Sequence, residues 1–126
     1  MTSLNKIVDL LQSDSKIVIL TGAGISTESG LPDFRSDNGF WATNQPIQFQ
    51  DFVSSEDQRR LSWSRNIELH HLLKSIRPNS GHDLVAKIIS MSPKNFLITQ
   101  NIDGLHQLAG VDEGQIIEIH GNAKKA

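Results

Sequence analysis

The sequence contains no cysteine. That excludes a disulfide framework, a thiolate nucleophile and any cysteine-ligated zinc or iron–sulfur centre within these residues, and it fits a reducing compartment. Charge of either sign is not in excess: 12 Lys and Arg stand against 14 Asp and Glu, a formal net charge of -2. With Arg59-Arg60 the single Arg pair, nothing draws the chain toward polyanions, so neither nucleic acid nor a membrane is expected as a partner. The longest apolar run, Ile17 to Leu20, is far too short to cross a bilayer. The first residues carry Asp9 and Asp14 in a helical pattern, unlike a signal peptide. The chain therefore reads as soluble, with the cytoplasm as default compartment and the mitochondrion an option in a eukaryote.

Two reaction classes are disfavoured by missing motifs. The 5 histidines form no H-x-x-x-H or H-E-x-x-H arrangement, so no metal site is expected from these residues. Ser26 and Ser29 lack the G-x-S-x-G elbow of a serine hydrolase.

What is present suffices for one domain of 126 residues, in which Leu, Ile, Val and Phe number 37. Ordering a chain of this length costs on the order of 200 kcal/mol, so its core must be nearly complete. Leu4, Ile7, Val8 and Leu11 mark one face of an N-terminal helix with Ser3 as its cap. Ile17 to Leu20 reads as a parallel strand covered by helices on both faces. A long Gly, Ser, Asn and Pro-rich loop follows, with a helical turn near Ile25, and loops of this length have functional reasons.

Residues 51–75 read as two helical pieces, with Phe52, Leu61, Ile67, Leu69, Leu72, Leu73 and Ile76 as burial candidates. Arg77 to Ser80 caps a helix bearing Leu84, Val85, Ile88 and Ile89, and Asn95 to Thr99 is a strand. A short helix ends near Gly110, and Ile116, Ile117 and Ile119 mark a third strand. Right-handed crossovers then give an α/β fold with a parallel sheet, its ligand groups beyond the strand C-terminal ends. Too few strands are present for a complete doubly wound sheet, as expected of an N-terminal portion.

Gly22, Gln100 and His120 lie at those ends, and Asp33-Phe34-Arg35 in the long loop between them. Gly22-x-Gly24 would let backbone approach a pyrophosphate, although Thr27 breaks the full G-x-G-x-x-G pattern; a tight turn is the alternative. Asp33-Phe34-Arg35 could close over a ligand, or could be a surface ion pair beside an aromatic anchor. Gln100-Asn101-x-Asp103 suits recognition of a carboxamide and sugar hydroxyls, or an Asx turn capping the next helix, and both can coexist. His120 at the mouth of the third strand suits general-base work. His70 and His71 are expected to do no chemistry, and His82 and His106 to lack a partner.

The blocks Gly22-Ala-Gly-Ile-Ser-Thr-Glu-Ser-Gly-Leu-Pro-Asp-Phe-Arg-Ser36, Thr99-Gln-Asn-Ile-Asp-Gly-Leu-His106 and Glu118-Ile-His-Gly121 together resemble the sirtuin family of NAD-dependent protein-lysine deacylases. Arg59-Arg60-x-x-Trp63-x-Arg65 and Arg77-Pro-Asn-x-Gly-His82 look most like its bacterial and mitochondrial class II branch. The resemblance implies the N-terminal part, residues 1–126, of a Rossmann-like NAD-binding domain, with the four-cysteine zinc module and the remaining strands expected only in a full-length parent.

By the same resemblance Gly22, Ala23 and Gly24 cradle the pyrophosphate, and Asp33 and Phe34 belong to the cofactor loop, where Arg35 positions phosphate and ribose. Gln100 lies near the nicotinamide ribose, Asn101, Ile102 and Asp103 form the nicotinamide pocket, and His120 is the general base, with Asn101 and Asp103 sharing in catalysis. In the implied reaction the acyl-lysine oxygen attacks ribose C1′, nicotinamide leaves and an alkylimidate forms; His120 then activates a ribose hydroxyl that attacks the imidate, and water completes the transfer to O-acyl-ADP-ribose and free lysine. Little autonomous activity is expected of these residues alone. The competing readings are a noncatalytic NAD or ADP-ribose binding module, an NAD hydrolase or ADP-ribosyltransferase, and a truncated folding unit that binds nothing strongly.

Overall fold

The computed structural model describes residues 2–33, 36–37 and 39–125, with Phe40 and Trp41 described by backbone alone. Helix α1 (Ser3–Gln12) begins at Thr2, whose extended backbone and side-chain oxygen, accepting from the Asn5 N–H at 3.3 Å, make it the cap in place of Ser3. Its apolar stripe meets no core: Leu4 is 68% exposed and Ile7 53%.

Strands β1 (Val18–Thr21), β2 (Phe96–Thr99) and β3 (Ile116–Glu118) form one parallel sheet in the order β1-β2-β3, with Thr21, Thr99 and Glu118 in register. The expected parallel α/β class is thus confirmed, although Ile119 lies in a turn past β3 and not in the strand. Side chains alternate across the sheet. Ile19, Leu97 and Ile116 face a core completed by Val85, Ala86 and Ile89. The opposite face keeps Val18 at 53% and Leu20 at 63% exposure, so among the described residues β1 is covered on one face and not on both.

Between β1 and β2 lie α2 (Phe40–Thr43), α3 (Phe49–Ser54), α4 (Glu56–Ser75) and α5 (Ser80–Ser90). The break between α3 and α4 is chemical. Ser55 ends α3 and caps α4 by accepting from the Gln58 N–H, while Arg59 Nη1 donates to the Phe52 and Val53 carbonyls left over at the end of α3. Leu73 and Ile76 are buried with Leu105, and Leu69 and Leu72 pack against them. Leu61 and Ile67, expected inside, are exposed: Leu61 precedes the part of α4 that meets this cluster, and Ile67, about 200° around the helix from Leu69, faces away from it.

Helix α5 starts with a capping box between Asn79 and His82. Its buried stripe is His82, Val85, Ala86 and Ile89, and Leu84, one position off that stripe, points to solvent. After β2 the chain turns at Gly104, φ +69°, into α6 (Leu105–Leu108). No helix among the described residues is long and apolar enough to cross a membrane.

Candidate functional site

The three strands end at the same edge, and the segments that follow them carry the polar side chains. After β1, Gly22 leads into a 3₁₀ helix, Ala23–Ser29, closed by Gly30 at φ +103°. Gly22 sits at φ −136°, and a Cβ added at Gly22 or Gly24 would meet nothing within 4 Å. Neither backbone strain nor the chain's own packing demands glycine there. The turn presents bare backbone to open space, as close approach of a ligand requires.

Ser26, 1% exposed, is the centre of a buried network. Its hydroxyl donates to Asp103 Oδ2 at 2.7 Å and lies 3.2 Å from His82 Nε2 and 3.4 Å from Asn101 Nδ2. His82 Nδ1 accepts the Asn79 N–H at 3.1 Å, which leaves the ring proton on Nε2 to donate to Ser26. Asp103 Oδ1 takes the Leu105 N–H at 2.9 Å, closing the Asx turn offered as its alternative role, while Gly104 is the N-cap of α6, and Asn101 Nδ2 donates to the Gly22 carbonyl at 2.9 Å. The β1 and β2 loops are therefore tied together by side chains that are almost wholly buried.

A second polar layer lies beneath. Thr21 and Thr99, in register on neighbouring strands, share a 2.8 Å hydroxyl bond, and Thr99 Oγ1 accepts the Asn101 N–H. His106 Nε2 sits 2.8 Å from Thr21 Oγ1, and its other ring nitrogen, Nδ1, is buried without a partner. The His82 and His106 rings meet edge to face at 5.0 Å. Burial pushes the His106 pKa down to about 4, with His82 adding to the effect, and burial also lowers His82 against the pull of Asp103 and Asp83. Both rings are neutral at neutral pH. The expectation that His82 and His106 lack partners is thus corrected: both are bonded and buried, because polar atoms at the strand ends require them.

Beside this network opens a cavity of about 440 Å³, within the range of small-molecule sites. Ala23, Ser26, Leu31 and Pro32 form one wall, Asn101, Ile102 and Asp103 another, and α4 residues from Arg65 to Leu73 a third. The α4 wall mixes Leu69, Leu72 and Leu73 with Arg65, Asn66 and Glu68, and the strand-end loops contribute Ser26, Asn101 and Asp103. Arg65 is steadied by donation to the Gln45 carbonyl at 2.8 Å.

Of the residues singled out from sequence, Ala23, Asn101, Ile102 and Asp103 are brought together at the cavity, with Gly22 bonded to Asn101. Gln100 is exposed and bonds through its backbone to Thr21. Asp33 Oδ1 is engaged locally by the Ser36 hydroxyl and N–H at 2.6 and 3.1 Å. Phe34 and Arg35 lie outside the described residues. His120 is exposed in the turn after β3 and is not on the cavity wall. Strand spacing puts its segment about 10 Å from that of β1 at the same sheet end.

Sequence reasoning missed Ser26, His82, His106, Thr21 and Thr99 as structural partners of the site. Two signals could have found them: a threonine ending each of two neighbouring strands, and the Asn79-x-x-His82 capping spacing. Among the described residues no group of three or more His, Cys, Asp or Glu is placed to hold a metal ion.

A glycine turn and a buried amide–carboxylate cluster at the C-terminal ends of parallel strands define a ligand site of the open α/β class. The Sir2 family model matches residues 22–126, and the chain belongs to that family. It is 42% identical over 125 residues to the NAD-dependent protein deacetylase of Rhodopseudomonas palustris, covering 99% of this chain and 49% of that protein. It is 44% identical over 124 residues to an NAD-dependent protein deacylase of Caenorhabditis elegans, covering 96% of this chain and 42% of that one. Among solved structures, a Sir2 complex with deacetylated p53 peptide and 3′-O-acetyl ADP ribose superposes with TM-score 0.77 at 34% identity, over 97% of this chain and 48% of the other. A Sir2 homologue in complex with ADP ribose superposes with TM-score 0.80 at 31% identity, over 97% and 47%. The chain thus spans about half the length of the relatives it matches.

Proposed function

We propose that this chain forms the nicotinamide and ribose side of an NAD-dependent protein-lysine deacylase that consumes NAD and an acyl-lysine protein, releasing nicotinamide and O-acyl-ADP-ribose. The observation that carries the proposal is the Asn101–Ser26–Asp103 cluster, buried and hydrogen-bonded on the wall of the 440 Å³ cavity beside an open glycine turn. NAD supplies the electrophilic ribose carbon and a leaving group in one molecule. The bare backbone of Gly22 to Gly24 binds its pyrophosphate, and the Asn101–Asp103 end of the cavity takes its carboxamide ring.

The buried Asp103 carboxylate is pinned by two donors and so needs no reorganisation as positive charge grows on the ribose, the condition under which electrostatic stabilisation is strongest. The two imidazoles next to it are neutral, so they leave that charge uncompensated. His120, on the neighbouring turn, acts as general base on a ribose hydroxyl, and closure of the acyl-lysine side over the turn brings it to its substrate.

The test is product analysis of the whole encoded protein with NAD and an acetyl-lysine peptide. Nicotinamide, deacylated peptide and O-acetyl-ADP-ribose should form in equal amounts, and His120→Ala should lower turnover by on the order of 100-fold or more. Unchanged turnover in that variant would remove His120 from the mechanism. The exposure of His120 outside the cavity wall favours a second reading, a module that binds NAD or ADP-ribose without catalysis. Calorimetric binding with no product would establish that one.

A further inference from the structure

The turn that carries His120 is fastened at three places. Its first residue docks on β2 through the Ile119 N–H and the Thr99 carbonyl at 3.1 Å. Its far end docks on the cavity segment through the Ala123 N–H and the Ile102 carbonyl at 2.9 Å. Between these, the Gly121 N–H returns to the Glu118 carbonyl at 3.1 Å, with Gly121 in the left-handed region at φ +78°, so His120 occupies the third position of a tight turn.

The third fastening is a side chain. Glu118 Oε1 accepts from Gln107 Nε2 of α6 at 2.8 Å and from Asn122 Nδ2 at 2.6 Å. Asn122 is itself oriented, because its Oδ1 takes the Lys124 N–H at 2.8 Å. Glu118 and Asn122 flank His120 symmetrically, two residues before and two after. A carboxylate spanning that interval holds the loop at a fixed width while anchoring it to α6, the helix that follows Asp103.

Resting on the reading of His120 as general base, we propose that Glu118 is a positioning residue for it: the Glu118 bracket to Gln107 and Asn122 fixes the imidazole-bearing turn relative to the Asn101–Asp103 wall. Glu118 touches no substrate. Its effect passes through His120, and a misplacement near 1 Å in a reacting group costs on the order of 100-fold in rate.

The test is a double-mutant cycle on the whole encoded protein with NAD and an acetyl-lysine peptide. Glu118→Ala is expected to lower kcat by roughly 10- to 100-fold with KM for NAD within about twofold, because the cavity wall is untouched. Glu118→Gln, which keeps an acceptor for both amides, should recover most of that loss. In a His120→Ala background Glu118→Ala should cause no further loss, a result that a merely structural role would not give. If Glu118→Ala prevents folding, Asn122→Ala opens the same bracket from its other, half-buried end and takes its place in the cycle. Equal losses from Glu118→Ala with and without His120, or a normal kcat in Glu118→Ala, would overturn the bracket while leaving His120 as base. A normal kcat in His120→Ala would overturn the base assignment and the bracket with it.

Discussion

Two sets of turns leave the same edge of one sheet and are held in opposite ways. Those after β1 and β2 are joined by buried side chains: Ser26, His82, Asn101 and Asp103 bond one another away from water, over a layer of Thr21, Thr99 and His106. The turn after β3 leaves His120 exposed and is held by backbone bonds and by the half-buried Glu118. Buried polar bonds are costly to break, whereas half-exposed bonds exchange with water at little net cost. The first region is therefore built to keep its shape before a ligand arrives. The second depends on a few individual bonds, the Glu118 bracket chief among them.

The largest expected effect lies in the buried region. Asp103→Ala leaves the Ser26 hydroxyl and the Leu105 N–H without an acceptor, and roughly 2 to 6 kcal/mol of stability should be lost. Urea unfolding measures it, and a loss below 1 kcal/mol would mean that water enters the network freely.

Acid should weaken the same region next. The unfolded chain takes up a proton on His106 near its ordinary 6.5, whereas the folded chain resists until about 4. Between those values the unfolded state binds more protons, so stability is full above about 6.5 and falls as pH drops, by roughly 3 kcal/mol in total from this group. His106→Gln should flatten that part of the pH–stability curve, and an identical slope in the variant would assign it to other groups.

A smaller and more selective effect is expected at the glycine turn. Gly24→Ala meets no atom within 4 Å, so stability should hold or rise by up to about 1 kcal/mol. NAD binding should nevertheless weaken at least about tenfold. Undiminished affinity would show that the turn does not cradle the cofactor.

At the far end of the scale, Lys125→Ala breaks an exposed ion pair with Glu113 beside the His120 turn and should leave the unfolding midpoint unchanged. A clear shift would show that this turn is held more firmly than its exposure suggests.

Much of the fold was legible because parallel strands and helices announce themselves by period: Ile17 to Leu20, Asn95 to Thr99 and the stripe on α5 each led to the right element. Period does not say which side of an apolar strand is covered. Val18 and Leu20 were read as buried and are exposed, since coverage depends on what packs there and not on the strand itself. The cavity residues Asn101 and Asp103 were legible because an amide and a carboxylate directly after a parallel strand stand where open α/β sheets bind ligands, even though both also serve the local turns. Ser26, His82 and His106 were not, because a buried hydrogen bond joins residues far apart in sequence, 77 positions for Ser26 to Asp103 and 85 for Thr21 to His106. Local spacing marks single members, such as the Asn79-x-x-His82 cap, but not which distant residue each one meets.

The convergence of the β1 and β2 loops around one dinucleotide is tested most directly by titrating NAD into the isotopically labelled chain and following its backbone amide signals. Shifts centred on Gly22, Ala23, Gly24 and on Asn101 to Asp103, all saturating at one NAD concentration, are the predicted result. Shifts confined to α1 or α3, with the glycine turn and the Asn101–Asp103 segment silent, would contradict it.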